Sequence, residues 1–348
     1  MIDLRTDTIT QPTPGMRRAL AEAVVGDEQK REDPTTLALQ ERVAELLGQE
    51  AALFLPTATM ANQIALKLHG RPGDVLLAEE TSHVMVYEYG GPAVHAGLVM
   101  RGLPGHAGRV RPDDVRSAAG PSTKEADQRA AVLSLEDTHN NAGGRVWPLD
   151  ELEQVVAAAR EHRLAVHLDG ARLLNAAVAQ GVAPAAIAAR FDTVTLCLSK
   201  GLGCPLGALL AGSRELMARA WREKHLLGGA LRQSGVVAAA GLYALDHHVE
   251  RLAEDHARAR RLAEGWAAAG LPVDPGQVET NFVQLDLAPL RLSAQEALAL
   301  LREHGVALST TIRPTVLRAV THLDVDDADV ERALELVPRA LAARVPAS

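Results

Sequence analysis

Residues 192–213 read "DTVTLCLSKGLGCPLGALLAGS". Thr193 to Ser199 form a continuous apolar run of strand length, the pattern of a strand covered on both faces. Lys200 follows at once, and then glycines. Lysine is among the residue types most costly to bury, so its place at the end of such a strand asks for a reason. The 36 basic residues include only five lysines: Lys30, Lys67, Lys124, Lys200 and Lys224. Arginine decorates the surface, and Lys200 stands apart from that decoration.

Outward from this stretch the pattern alternates. "AALFLP" (51–56), "DVLLA" (74–78), "AAVLSLE" (130–136) and "LAVHLDG" (164–170) read as strands. "TATMANQIALKLHG" (57–70), "PLDELEQVVAAAREH" (148–162) and "ARLLNAAVAQG" (171–181) read as helices, with Pro148 at one start and glycines at two ends. Apolar strands alternating with helices predict an α/β fold: a mostly parallel central sheet with helices on both faces. Residues 235–270 read as one long helix. Beyond it, the strands "NFVQLDL", "VALSTTI" and "VLRAVTHL" and the helix "SAQEALALLREHG" predict a smaller C-terminal α+β domain, closed by a helix from Asp326. The expected division is an N-terminal arm (1–20), a large domain (21–246) and a small domain (247–348). The polar stretch 120–128 carries no chemical signature.

The chain of 348 residues, 47% hydrophobic and 23% charged, is long enough for two ordinary domains. Its net charge of −8 argues against nucleic acid or an anionic membrane as partner. No apolar run reaches the roughly 20 residues of a membrane span. The N-terminal "MIDLRTDTITQPT" has acids and no apolar core, so a signal peptide is not expected. Cys197 and Cys204 lack metal-ligand spacing and read as reduced, buried thiols of a cytoplasmic protein; no metal is expected at the site.

Ligands of open parallel sheets bind beyond the carboxyl ends of the strands. Three such ends carry reactive groups: Glu136 with His139 after it, Asp169 with Arg172 after it, and Lys200. Asp169 and Lys200 are 31 residues apart, one βαβ crossover, which puts both on one sheet edge. Each has a plainer reading. Asp169 caps a helix, Lys200 snorkels from a strand end, Glu136 is a solvated acid, and His139 is a satisfied turn histidine. Together they match what pyridoxal phosphate (PLP) requires: a lysine for a Schiff base, an aspartate for the pyridine nitrogen, and an anion cradle. Thr57 and Thr59 of "LPTATMANQ" supply that cradle where strand turns to helix, or serve only as caps.

The motifs "IDLRTDTITQPT", "LPTATMANQ", "VYEYGGPAV", "SLEDTHN", "HLDGARL", "LCLSKGLGCPLGALLAGS" and "LRAVTHLDV" occur in this order. Together they resemble the low-specificity L-threonine aldolases, PLP enzymes of fold type I, the aspartate-aminotransferase group. The likeness spans residue 2 to about residue 329. It implies retro-aldol cleavage of L-threonine, L-allo-threonine and related β-hydroxy-α-amino acids to glycine and an aldehyde. It implies Lys200 as the Schiff-base lysine and Asp169 as partner of the pyridine nitrogen. Thr57, Ala58 and Thr59 would hold the phosphate. Arg172 would lie near cofactor and substrate. His83 would stack on the ring and reach the β-hydroxyl, with His139 nearby. Thr6 and Arg318 would bind the substrate carboxylate. Arg232 and Lys224 would come from a neighbouring subunit, within a homotetramer built from dimers with active sites at the dimer interface. His83, His139 and a phosphate-held water are the candidate bases.

The sequence departs from the family pattern at four places. Thr6 replaces the usual serine and keeps its hydroxyl. Ala58 replaces a glycine of the phosphate loop. Lys30 and Arg31 stand where tyrosine and glycine are usual, near the expected substrate mouth. Lys224–His225 replaces an arginine–lysine pair, which bears on the cross-subunit phosphate contact. Two rival readings remain: a PLP-dependent β-eliminating lyase acting on serine- or tryptophan-like amino acids, and a catalytically silent PLP-binding relative.

Overall fold

The computed structural model describes residues 1–120 and 128–341. The stretch 120–128 therefore lies largely outside the described residues. Seven strands form the central sheet. In spatial order they are Ala51–Leu55, Ala208–Gly212, Thr193–Cys197, Ala165–Gly170, Ala130–Glu136, Val75–Glu79 and Val99–Leu103. Ala208–Gly212 runs antiparallel to both neighbours, and the other pairings are parallel. Successive side chains of a strand enter different cores. Leu209 and Ala211 join one apolar cluster and Leu210 another, so this strand is covered on both faces.

The structure bears out the mixed α/β class and its mostly parallel sheet. Residues 235–270 differ from the single helix expected. They form two helices, Gly235–His247 and Leu252–Ala268. No proline separates them. Ala240, Ala244 and Leu245 pack into the core around the large sheet, whereas Ala259, Leu262, Ala263 and Trp266 pack into a second core. One straight axis cannot serve both. That second core also holds Ile2 and Leu4, and Ile2 pairs in parallel with Val306. It includes the antiparallel strands Phe282–Asp286 and Val316–Val320 and the helix Asp327–Leu341.

Six of the seven strands run in one direction, and their carboxyl ends lie at one edge. Helix Ala58–His69 leaves the first of these ends. Thr57 caps it by accepting from Met60 N, and Gly70 follows its last residue. The helix lies across the strands that carry Asp169 and Lys200.

Burial holds the pKa of His69, His167 and His256 down at about 4. Unfolded imidazoles take protons near 6.5. Between these values the unfolded chain binds protons that the folded chain refuses, so stability falls as pH drops from about 6.5 to about 4. Thermal melts of the apoprotein should show Tm falling steadily across that window. A constant Tm there would contradict the burial of these neutral rings.

Candidate active site

A cavity of about 620 Å³ opens at the carboxyl edge. Strand ends contribute Glu136 and Asp169 to its wall, and the turns and helices that follow the strands contribute Thr57, Ala58, Thr59, Asn62, His83, Tyr87 and Lys200. Thr6 and Arg172 line it as well, and Arg318 and the segment Thr310–Thr311–Ile312 close it from the second core.

Lys200 follows the strand Thr193–Cys197, and its carbonyl accepts from the Thr10 hydroxyl at 2.8 Å. Its amine makes no hydrogen bond or ion pair among the described residues, although it lines the cavity. Asp169 is 3% exposed, and its Oδ2 accepts from Asn62 Nδ2 at 2.8 Å. Its Oδ1 accepts from Ala171 N–H at 3.1 Å, which is the helix-entry contact of the plainer reading.

Thr57 spends its side-chain oxygen on Met60 N–H and its carbonyl on Ala61 N–H. The N–H groups of Ala58 and Thr59 remain, at the N-terminus of a 12-residue helix. Such an end attracts anions through free donors and the helix dipole. Ala58 is the first helical residue and is not among the residues with positive φ. The place therefore needs no glycine conformation, and alanine fits it.

His83 begins the short helix His83–Val86. Glu136 Oε2 accepts from its backbone N–H at 2.6 Å. Its ring Nδ1 lies 2.9 Å from Glu88 Oε1. A carboxylate only accepts, so Nδ1 carries the proton and Nε2 is left as the basic atom. Burial opposes a charge on His83. The hydrogen bond to Glu88, then the charges of Asp169, Glu88 and Glu136, outweigh it and raise the pKa above the ordinary value. Glu88 is 4% exposed and also accepts from Asn62 and Gln63.

Arg172 is fully engaged on one side. Its Nε and Nη2 donate to the two oxygens of Asp7 at 2.6 and 2.7 Å. Burial acts to raise the Asp7 pKa, but the Arg172 guanidinium holds it well below the usual carboxylate range. Arg318 donates from Nε to Ser309 Oγ at 3.0 Å and from Nη1 to Asn140 Oδ1 at 2.8 Å. The two guanidiniums lie 4.7 and 5.7 Å from the Phe282 ring centroid. Burial first, then the Arg172 charge, lowers the Arg318 pKa. Two cations share this wall with Asp7 as their buried counterion, an arrangement that favours a further anion.

Two residues expected at the site are elsewhere. His139 is 1% exposed and does not line the cavity. Its Nε2 lies 3.0 Å from Glu79 Oε2, and its Nδ1 accepts from Ala142 N–H at 3.3 Å, so both ring nitrogens are spent. Gly108, at φ +77, covers the ring so closely that an added Cβ would lie 2.3 Å from His139 Cγ. Position along the chain brings His139 near the edge, and side-chain direction takes it below. Lys224 is fully buried and turned inward, bonded to Glu28 and to the Phe54 carbonyl at 2.7 Å. Helical spacing carries the signal: Met217, Ala220 and Lys224 form the buried stripe of one helix.

Arg232 and His225 are exposed and lie outside this cavity. Residues 27–31 likewise lie outside it. Arg31 takes the left-handed φ of +59 where the family pattern has glycine, with its guanidinium 5.1 Å from the Trp221 ring. Sequence reasoning missed Asn62, Tyr87, Glu88 and Thr310–Ile312, whose roles come from partners remote in sequence. Only the "VYEYGG" and "TMAN" motifs hinted at Glu88 and Asn62.

The basic atom of His83 depends on Glu88. In Glu88→Gln the amide cannot carry the anion, so the acid limb of kcat/KM should move about one pH unit lower. kcat should fall roughly 10- to 100-fold, as for a misplaced general base. An unmoved limb would separate His83 from the proton transfer.

The sequence profile of one family, described as beta-eliminating lyase, matches residues 3–288. The low-specificity L-threonine aldolase of Escherichia coli K12 is 40% identical over 336 residues, covering 93% of this chain and 95% of that protein. A threonine aldolase structure from Leishmania major superposes with a TM-score of 0.84 at 20% identity, covering 98% of this chain and 100% of that one. A serine palmitoyltransferase from S. paucimobilis, solved with bound PLP, superposes with a TM-score of 0.76 at 19% identity, covering 98% and 87%. At these identities the two structures show the fold, which is that of fold type I enzymes.

Proposed function

This chain belongs to the beta-eliminating lyase family, on the branch of the low-specificity L-threonine aldolases, and from that premise we propose how its cavity works. It cleaves L-threonine, L-allo-threonine and related β-hydroxy-α-amino acids to glycine and an aldehyde, with PLP as cofactor. The observation that carries this reading is the convergence on one cavity of an unpartnered lysine, a buried aspartate, a free helix N-terminus and two arginines.

The residues present fit PLP. Lys200 would hold it covalently. The Ala58 and Thr59 N–H groups, with the threonine hydroxyls, would hold its phosphate. Asp169 would hold a proton on its ring nitrogen. Bound there, PLP supplies an electron sink for the charge that develops at the substrate Cα. Arg318, with the remaining nitrogen of Arg172, grips the substrate carboxylate and fixes which bond at Cα is presented for cleavage. His83 Nε2 takes the proton of the β-hydroxyl as the Cα–Cβ bond breaks. Glu88 steadies the resulting imidazolium. Proton delivery to Cα completes glycine, and the aldehyde leaves through the open side of the cavity.

Arg318 gives the test. Lysine cannot make two parallel hydrogen bonds to a carboxylate. A charge-assisted pair is worth roughly 1.5–3 kcal/mol, so Arg318→Lys should raise KM for L-threonine from about tenfold to more than a hundredfold. The visible spectrum of the bound cofactor should not change. Unchanged kinetics in Arg318→Lys would leave Arg172 as the carboxylate partner.

The protein is a homotetramer built from dimers, with Arg232 facing a neighbour's phosphate. The exposed apolar residues Val86, Tyr89, Val94 and Leu226 are candidates for the surface such an assembly would cover. Light scattering giving a monomeric mass would refute this. A cytoplasmic location fits the two buried, unpaired thiols.

A further inference from the structure

The helix Ala58–His69 carries more than the anion cradle. One turn in, Asn62 is 1% exposed. Its Nδ2 donates to Asp169 Oδ2 at 2.8 Å and to Glu88 Oε1 at 2.9 Å. Both partners accept only, so the amide nitrogen must face them. Asn62 Oδ1 then faces His167 Nε2 at 3.1 Å, which therefore bears the proton. His167 Nδ1 is left as an acceptor, 2.9 Å from Thr193 Oγ1. With its proton given to His167, Thr193 accepts from His69 Nε2 at 2.8 Å. Every donor and acceptor in the chain His69–Thr193–His167–Asn62 is thus fixed by elimination.

The placement follows from the fold. His167 and Asp169 share a strand at a spacing of two, so both point to one face. Thr193 is the register partner of His167 on the next strand. Asn62 and His69 are two helical turns apart on the helix that covers this face. His167 is 0% exposed, and burial keeps it neutral, as the acceptor role of Nδ1 requires.

We propose that His167 is a positioning residue for the Asp169–His83 pair, acting through Asn62. Its Nε2–H pins the amide so that one nitrogen serves the carboxylate that faces the cofactor and the carboxylate that holds the base. Without that donor Asn62 Oδ1 is left buried and unpaired, and the side chain loses the anchor that holds its nitrogen between the two carboxylates. Thr193 and His69 set the tautomer on which this depends. The inference rests on the PLP reading above.

The test uses three variants of the full-length protein. His167→Gln places an amide N–H where Nε2 was and keeps the donor to Asn62. His167→Asn reaches only the position of Nδ1 and loses that donor, and His167→Leu loses both. PLP affinity is measured by titrating apoprotein, kcat and KM by L-threonine cleavage, and Tm by melting each apoprotein. His167→Gln should stay within about threefold of wild type in both PLP affinity and kcat. The other two should lose about tenfold in PLP affinity, and roughly 10- to 100-fold in kcat with KM little changed. Losses that track Tm, with Gln as damaged as Leu, would overturn the proposal, as would wild-type PLP affinity in His167→Asn. If wild-type apoprotein itself takes up no PLP, the functional reading fails first, and the two failures are told apart.

Discussion

Lys200→Ala should abolish the covalent cofactor adduct and reduce cleavage of L-threonine to the limit of detection. The wild-type protein loaded with PLP should be yellow, and borohydride should fix the cofactor to the chain at residue 200. The reason lies in the strand end. Lys200 lines the cavity, and no described residue pairs with its amine. Among the four described lysines it is the one both in the cavity and free of a partner. Lys67 pairs with Glu223, Lys224 is locked on Glu28, and Lys30 lies outside the cavity. Removing a nucleophile that also carries protons costs on the order of 10²–10⁴-fold from proton transfer alone, and the lost covalent step adds to that. A reducible PLP adduct retained in Lys200→Ala would put the attachment elsewhere.

Asp169→Asn should lower kcat by about 10²–10³-fold while PLP still binds. Asparagine keeps the shape, and the contacts from Asn62 and Ala171 can be partly remade. The fixed negative charge is what is lost, in a site where Asp169 is 3% exposed. Charges placed in advance against developing charge are worth several kcal/mol in such surroundings. Mass spectrometry of the loaded variant and single-turnover kinetics separate binding from chemistry. Near-normal turnover would reduce Asp169 to the helix-entry role of its Ala171 contact.

The alternation of apolar strands with helices made the parallel sheet legible. The end of each strand could then be read as the floor of a site, and Lys200, Asp169, His83, Arg172 and Arg318 do converge there. Direction was not legible. Ala208–Gly212 is a buried apolar run with no mark of being antiparallel, because covered strands lack the alternation that reports a face. Val99–Leu103 is largely exposed and lacks the pattern of a buried strand. The turn between residues 247 and 252 was hidden because two cores, and no breaker residue, decide it. Within the site, sequence distance placed His139 at the edge but could not say that its ring points away beneath Gly108. Glu88 and Asn62 were visible only as members of motifs and without a role, because a carboxylate and an amide acquire meaning from the groups they meet. Lys224 was different. Its place on the buried stripe with Met217 and Ala220 was available from periodicity alone.

The central claim is that the Cα–Cβ bond, and not the bond from Cβ to its hydroxyl, is the one broken. Product balance tests it most directly. The PLP-loaded protein is incubated with L-threonine, L-allo-threonine and L-phenylserine, and glycine, aldehyde, 2-oxo acid and ammonia are quantified together. Glycine and aldehyde should form in equal amounts, acetaldehyde from the threonines and benzaldehyde from phenylserine, with no 2-oxobutanoate. Equimolar 2-oxobutanoate and ammonia from threonine, without glycine, would contradict the account and make this chain a β-eliminating lyase in activity as well as in family.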